Sequence, residues 1–175
     1  MTASMDVLRP RDPGLGHAAV MGSLVRMHED LASAPILWLS TTRPDGRPHI
    51  VPTWFDWDGE VITVFSKTHA QKVRNVRHQP SVMVAVGRPE LNFAVELLEG
   101  EAVVVDTPIA PDGPVEPLPS PRFARKYAAA FADAGYTAES FSATYTVTVR
   151  IRLTRLLDWG ARGAGYTGDR LAPSA

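Results

Sequence analysis

Ser66-Lys67-Thr68-His69-Ala70-Gln71-Lys72-Val73-Arg74-Asn75-Val76-Arg77-His78-Gln79-Pro80 is the stretch on which the reading of this chain turns. Thr68, followed three residues later by Gln71, has the form of a capping box, so a helix is expected to begin there. The first-turn N–H groups of a helix lack partners inside it and favour negative charge in front of them. Lys67 and Lys72 bracket that spot, and no acidic residue occurs between Glu60 and Glu90 to cancel the potential. The spacing admits two readings. One is an ordinary short helix with Val73 and Val76 tucked inward and its basic face in water. The other is a seat for a phosphate.

On either side the pattern is β. Upstream, Ile36 to Thr42 forms an apolar run closed by Pro44-Asp45-Gly46, a turn signal. His49 to Trp57 is the next expected strand, and Asp58-Gly59 links it as a hairpin to Val61–Ser66. Pro52 falls inside that second strand, where it removes a ladder donor; it belongs at an edge, a bulge, or where backbone faces a ligand. Downstream, Ser81 to Gly87, Asn92 to Leu98 and Glu101 to Asp106 read as strands, with Gly100 breaking the last two apart.

Further out, Val20, Leu24, Met27 and Leu31 recur at helical spacing within residues 17–33, and residues 1–16 read as a loose arm. Six prolines in the fifteen residues from Thr107 to Pro121 make a stiff connection rather than a disordered one. Pro121 then suits the first turn of a helix reaching Ala134, stopped by Gly135. Phe141 to Leu153 alternates as a long half-exposed strand with Tyr145, Val147, Val149, Ile151 and Leu153 on one side. Residues 161–175 form a glycine-rich tail. Six or seven hairpin-connected strands with three interspersed helices predict a mainly β fold, an antiparallel barrel with flanking helices in a single domain over residues 17–160.

Composition narrows the function classes. A net charge of −1 gives no global reason to expect nucleic acid, and the basic segment is local. The absence of cysteine excludes disulfides and thiolate metal sites. His17, His28, His49, His69 and His78 never fall at metal-ligand spacing, so no metal site is expected. With no signal peptide or membrane-length apolar run in view, the expectation is a cytoplasmic protein that contacts no membrane.

The order of parts is itself informative. A strand with a Pro-Asp-Gly turn precedes a hairpin carrying Pro48, Val51-Pro52, Trp54 and Asp58-Gly59. A strand ending in Ser66 follows, and then Lys72-Val73-Arg74-Asn75-Val76 closing on Gln79-Pro80. This arrangement resembles the pyridoxamine 5′-phosphate oxidase-like, FMN-binding split-barrel family, and the form Lys72-x-x-Asn75 with Pro52-x-Trp54 is similar to its deazaflavin (coenzyme F-420)-dependent branch. The resemblance implies a homodimer of split barrels with the cofactor in a groove at the subunit interface.

It also implies site residues. Phe65, Ser66 and Lys67 at the end of the third strand, with Lys72 and Asn75 on the helix, match the phosphate-contacting region. His49, Val51, Pro52, Thr53 and Trp54 match the strand beside the isoalloxazine ring. The oxidases' own Arg-x-x-x-x-Lys signature is replaced here by Ile50-Val51-Pro52-Thr53-Trp54-Phe55, which argues against pyridoxamine phosphate as the substrate. Two functions follow as expectations: an oxidoreductase using FMN or F-420, with F-420 the favoured of the two, that moves a hydride to or from a small conjugated molecule; or a non-catalytic binder of FMN, haem or another tetrapyrrole. Since the ring carries out hydride transfer, no side chain need act as acid or base. His49 beside the ring strand is the one candidate, and its ordinary reading is a turn or surface residue.

Overall fold

The computed structural model describes residues 17–88, 94–106, 119–159 and 167–170. The expected arm, the heart of the proline-rich connection and most of the tail lie outside them. Helix α1 (His17–Ser33) leads into β1 (Leu37–Thr42), β2 (Pro48–Thr53), the two-residue β3 (Asp56–Trp57) and β4 (Val61–Ser66). Then come α2 (Gln71–His78), β5 (Ser81–Arg88), β6 (Ala94–Val105), three short helices α3 (Pro121–Lys126), α4 (Ala128–Ala134) and α5 (Ala138–Thr144), and finally β7 (Val147–Trp159) and β8 (Thr167–Arg170).

All strand pairs are antiparallel, in the order β2-β1-β5-β6-β7-β4-β3, with β8 added alongside β7. The two end strands of that path, β2 and β3, are separated in sequence only by Trp54 and Phe55. Three extended steps of chain span at most ~11 Å, so the sheet must curl until its ends nearly meet. That curl is the split barrel. Its interior is filled by Leu37, Leu39, Ile62, Val64, Val84, Leu98, Val149 and Ile151, with Met27 and Leu31 of α1 and Val73 of α2 packed onto the same core.

Several expectations are revised here. The strand expected over His49–Trp57 divides at Trp54-Phe55, because the chain there crosses the seam. Gly100 does not break a strand: β6 runs through it, with a register shift between Glu99 and Gly100. A Cβ at Gly100 would sit 2.8 Å from Ile151 Cγ2 and 2.9 Å from the Arg152 carbonyl, so the strands approach too closely there for any side chain. On β7, Leu153 pairs with Gly100 and Arg155 with Glu99, which leaves Thr154 as the extra residue of a bulge. The bulge reverses the alternation, and so β7 continues to Trp159 with Leu156 turned into the core.

The helix expected over 121–134 is interrupted at Tyr127, whose φ of −110° and ψ of 19° depart from helical values. Ser120 caps its start, accepting from the Phe123 N–H at 3.1 Å, and Gly135 in the left-handed region ends it. Thr137 and Ser140 form a capping box that starts α5, so the segment expected to open the last strand at Phe141 is helical.

Candidate functional site

The β1–β2 hairpin and α2 meet at one corner of the barrel. In β2 the alternation places His49, Val51 and Thr53 on the face shared with buried Leu37, Leu39 and Thr41, while Pro48, Ile50 and Pro52 face outward. The hairpin loop fixes which backbone groups bond. The Arg43 N–H donates to the Arg47 carbonyl at 2.9 Å, so bonded pairs recur at Thr41–His49, Leu39–Val51 and Leu37–Thr53. The backbone groups of Pro48, Ile50 and Pro52 therefore point to the free edge. Since proline has no N–H, this edge offers one donor, Ile50 N–H, flanked by the carbonyls of all three residues. The structure places Pro52 on the edge strand and not at a bulge. Ile50, which lies within the expected ring strand but is not singled out by the sequence, carries that N–H.

Helix α2 is shorter than its sequence signal. It starts at Gln71 with Ala70 as N-cap, and no side chain caps it, so the capping box expected from Thr68 and Gln71 does not form. Thr68 is drawn away to Thr146, hydroxyl to hydroxyl at 3.2 Å, and Gln71 turns along the helix to donate to Asn75 Oδ1 at 2.7 Å. Asn75 is wholly buried and donates in turn to Thr41 Oγ1 at 2.8 Å. Thr41 Oγ1 lies 3.3 Å from the His49 carbonyl and 3.4 Å from His49 Nδ1. A hydroxyl has one proton to give. If it donates to the carbonyl, Nδ1 carries the proton toward Thr41 and Nε2 is left for other partners.

Three basic groups gather here. Burial holds the half-buried Lys72 ammonium below the usual lysine range. Desolvation, followed by the positive charges of Arg43 and Lys72, pushes the His49 imidazole below its ordinary value. Arg43 Nε is buried without a hydrogen-bond partner among the described residues, and the structure shows no hydrogen bond or ion pair for Lys72 among them. The other basic residues nearby are engaged. Arg47 is bonded to Asp45, whose carboxyl it holds below the usual range; Arg74 is bonded to the His69 carbonyl and Gln71 Oε1; and Arg77 is paired with Asp106. Arg43 was not among the expected site residues, since its place beside a Pro-Asp-Gly turn reads as turn chemistry.

The remaining expected residues belong to a second group. Phe65 is buried edge-on against Phe123, ring centroids 4.7 Å apart, in an aromatic cluster with Tyr127, Phe131 and Phe141. Trp54 stacks on Tyr127 at 4.9 Å. Ser66 is wholly buried, and exposed Lys67 places its ammonium 5.9 Å from the Tyr145 ring. The structure thus joins His49, Lys72 and Asn75 at the hairpin corner, and Trp54 and Phe65 under the helices. Among the described residues no three His, Asp or Glu side chains form a metal-ligand set, and no helix is long and apolar enough to cross a membrane.

The family model described as pyridoxamine 5′-phosphate oxidase matches residues 26–159 of this chain. The chain belongs to that family. None of the curated proteins compared with this oxidase-family chain matches it in sequence. Among solved structures it is similar to an F420 reductase, at 27% identity and a TM-score of 0.57, covering 74% of this chain and 94% of that one. It also resembles a putative pyridoxamine 5′-phosphate oxidase from Listeria innocua, at 17% identity and 0.54, covering 76% and 94%. A conserved hypothetical protein, Rv2991, from Mycobacterium tuberculosis gives 23% identity and 0.56, covering 95% and 96%.

Next to the corner, the outer face of this family member's barrel is apolar. Trp38, the register partner of Pro52, is 45% exposed, and Ile50 is 59% exposed. Beside them lies a groove of about 780 Å³, lined by Ala34, Pro35, Ile36, Trp38, Ala85 and Val95 among others. It sits apart from the cationic corner, across β1.

Proposed function

We propose that this chain is an oxidoreductase that binds FMN or coenzyme F-420 and passes a hydride to or from a small conjugated molecule. The observation that carries this reading is the pairing of two features at one corner: Arg43 and Lys72, unneutralised among the described residues, and a strand edge with a single N–H between carbonyls. A flavin or deazaflavin presents a phosphate at one end. At the other end its ring edge carries one N–H between two carbonyls. The orphaned Arg43 Nε fits the phosphate, and the edge fits the ring when offset by one place, so that Ile50 N–H donates to a ring carbonyl and an adjacent β2 carbonyl accepts from the ring N–H. The likeness to an F420 reductase at 27% identity supports the deazaflavin form.

When bound, the cofactor supplies hydride transfer through its ring. The chain's own residues bind and orient. Lys72 holds the phosphate with Arg43 beside it, exposed Lys67 stands off at the Tyr145 ring, and the backbone of β2 from His49 to Thr53 fixes the ring edge through Ile50 N–H. Asn75 and Ser66, both fully buried, act by position. Phe65 and Trp54 hold the aromatic cluster against the seam. No side chain is assigned as acid or base. The exposed face of Trp38, Ile50 and Ile36 is suited to a second copy of the chain, which would close the cofactor groove as the family's dimers do.

The absorption spectrum of the purified protein, followed by turnover with reduced F-420 or with flavin across a panel of small conjugated acceptors, tests the reading. A flavin or deazaflavin band with turnover is expected. A Soret band instead, or a bound flavin that never turns over, would replace the enzyme with the binding protein that the sequence also allows.

A further inference from the structure

The proposed cofactor reading leaves open how the phosphate end is gripped. We infer that Arg43, His49 and Lys72 form one three-cation phosphoryl site in which His49 takes up a proton as the anion binds. The inference rests on the cofactor reading for its natural ligand, but its geometry stands independently.

The placement follows from register. His49 lies opposite Thr41, and Arg43 two residues on shares that face, so Arg43 and His49 are diagonal neighbours on the hairpin. Lys72 precedes Asn75 by one helical turn, and Asn75 is bonded to Thr41 directly behind His49. The charges that face His49 are thus Arg43 from its own hairpin and Lys72 from α2, both positive. The hairpin's one carboxylate, Asp45, is bonded to Arg47. A buried guanidinium Nε with no acceptor among the described residues is a cost that a bound anion removes.

Where Thr41 donates to the His49 carbonyl, Nδ1 holds the proton of the neutral ring and Nε2 is the atom that protonates. In the free protein desolvation, followed by the charges of Arg43 and Lys72, disfavours the imidazolium form of His49; a dianion between the three groups opposes that bias. Binding is therefore accompanied by net proton uptake, and affinity falls as pH rises through the titration of the bound imidazole.

Sulfate is the probe, because its charge is constant where histidine titrates. The His49 ring signals, assigned by their loss in His49→Gln, are followed by NMR against pH with and without saturating sulfate. Sulfate is expected to raise the His49 pKa by at least about one unit, a tenfold preference for the protonated ring. Arg43→Gln should weaken sulfate binding at least ~5-fold, with Arg43→Lys between the two. A His49 titration unmoved by sulfate, equal sulfate affinity in Arg43→Gln and the unsubstituted protein, or no sulfate binding at all overturns the inference. FMN and F-420 are titrated in parallel. If sulfate behaves as expected and neither cofactor binds, the anion site stands and the cofactor reading falls. If a cofactor binds while His49 and Arg43 are silent, the cofactor reading stands and this site falls.

Discussion

Asn75 on α2 donates its amide to the Thr41 hydroxyl on β1 across 2.8 Å, and both side chains are buried. This one bond ties the helix that carries Lys72 to the strand that flanks His49. Asn75→Ala removes it and also strands the Gln71 amide that Asn75 Oδ1 accepts. Leaving buried polar partners unmatched costs about 1–3 kcal/mol. Urea unfolding should show a loss of that size with an unchanged m-value, and sulfate affinity should fall although no ligand-contacting group was touched. A variant as stable as the parent would mean that the network is dispensable.

Lys72→Ala should separate stability from binding. A charge-assisted phosphate contact is worth roughly 1.5–3 kcal/mol, so affinity for FMN or F-420 should drop more than tenfold. The free protein, relieved of a half-buried cation that makes no ion pair among the described residues, should melt no lower than the parent. Thermal melts and cofactor titrations on the same preparation check both halves. An unchanged dissociation constant would remove Lys72 from the site.

Much of the barrel could be read from the chain because strand alternation and helix spacing are local signals. Val147, Val149, Ile151 and Leu153 announce their face without reference to any partner. The parts that escaped depend on neighbours. Thr154 becomes a bulge only because Gly100 lets β6 and β7 approach, and Thr68 abandons its cap only because Thr146 stands beside it. The site divides the same way. Lys72 and His49 stand out as residue types, whereas Ile50 contributes an N–H that any residue but proline carries. Arg43 enters the proposed site through an Nε unpaired among the described residues, which no spacing reveals.

The seam of the barrel hangs on Tyr127. Its hydroxyl accepts from the Phe55 N–H at 3.1 Å and lies 3.2 Å from the Phe55 carbonyl, to which it donates. Phe55 is one of the two residues that carry the chain from β2 to β3. Tyr127→Phe keeps the ring but strands both backbone groups, a loss of about 2 kcal/mol. Because Trp54 stacks on the same ring, its fluorescence should shift in the native variant as the link loosens. An unaltered spectrum and midpoint would show that water replaces the hydroxyl at no cost.

Lys126 gives stability a pH dependence of its own on the alkaline side. Its ammonium sits 3.6 Å from the centre of the Phe55 ring, and burial, partly offset by Asp56, lowers its pKa to about 8 from 10.5. Between those values the unfolded chain holds a proton that the folded chain has released, so stability must rise with pH across that window. Tyr127 acts in the opposite sense. Desolvation raises its hydroxyl from 10.0 to about 12, so above pH 10 the unfolded chain loses a proton that the folded chain keeps, and stability falls. The two together place a maximum near the overlap of the windows. Lys126→Met preserves the stem packed over Phe55 while removing the titration. Urea midpoints measured from neutral to strongly alkaline pH should rise and then fall in the parent, and the rise should shrink in Lys126→Met to what Lys72, also lowered by burial, still contributes. A parent profile that only declines above neutrality would show that Lys126 keeps its proton in the folded chain, satisfied by the Phe55 ring and the Leu31 carbonyl 3.4 Å away.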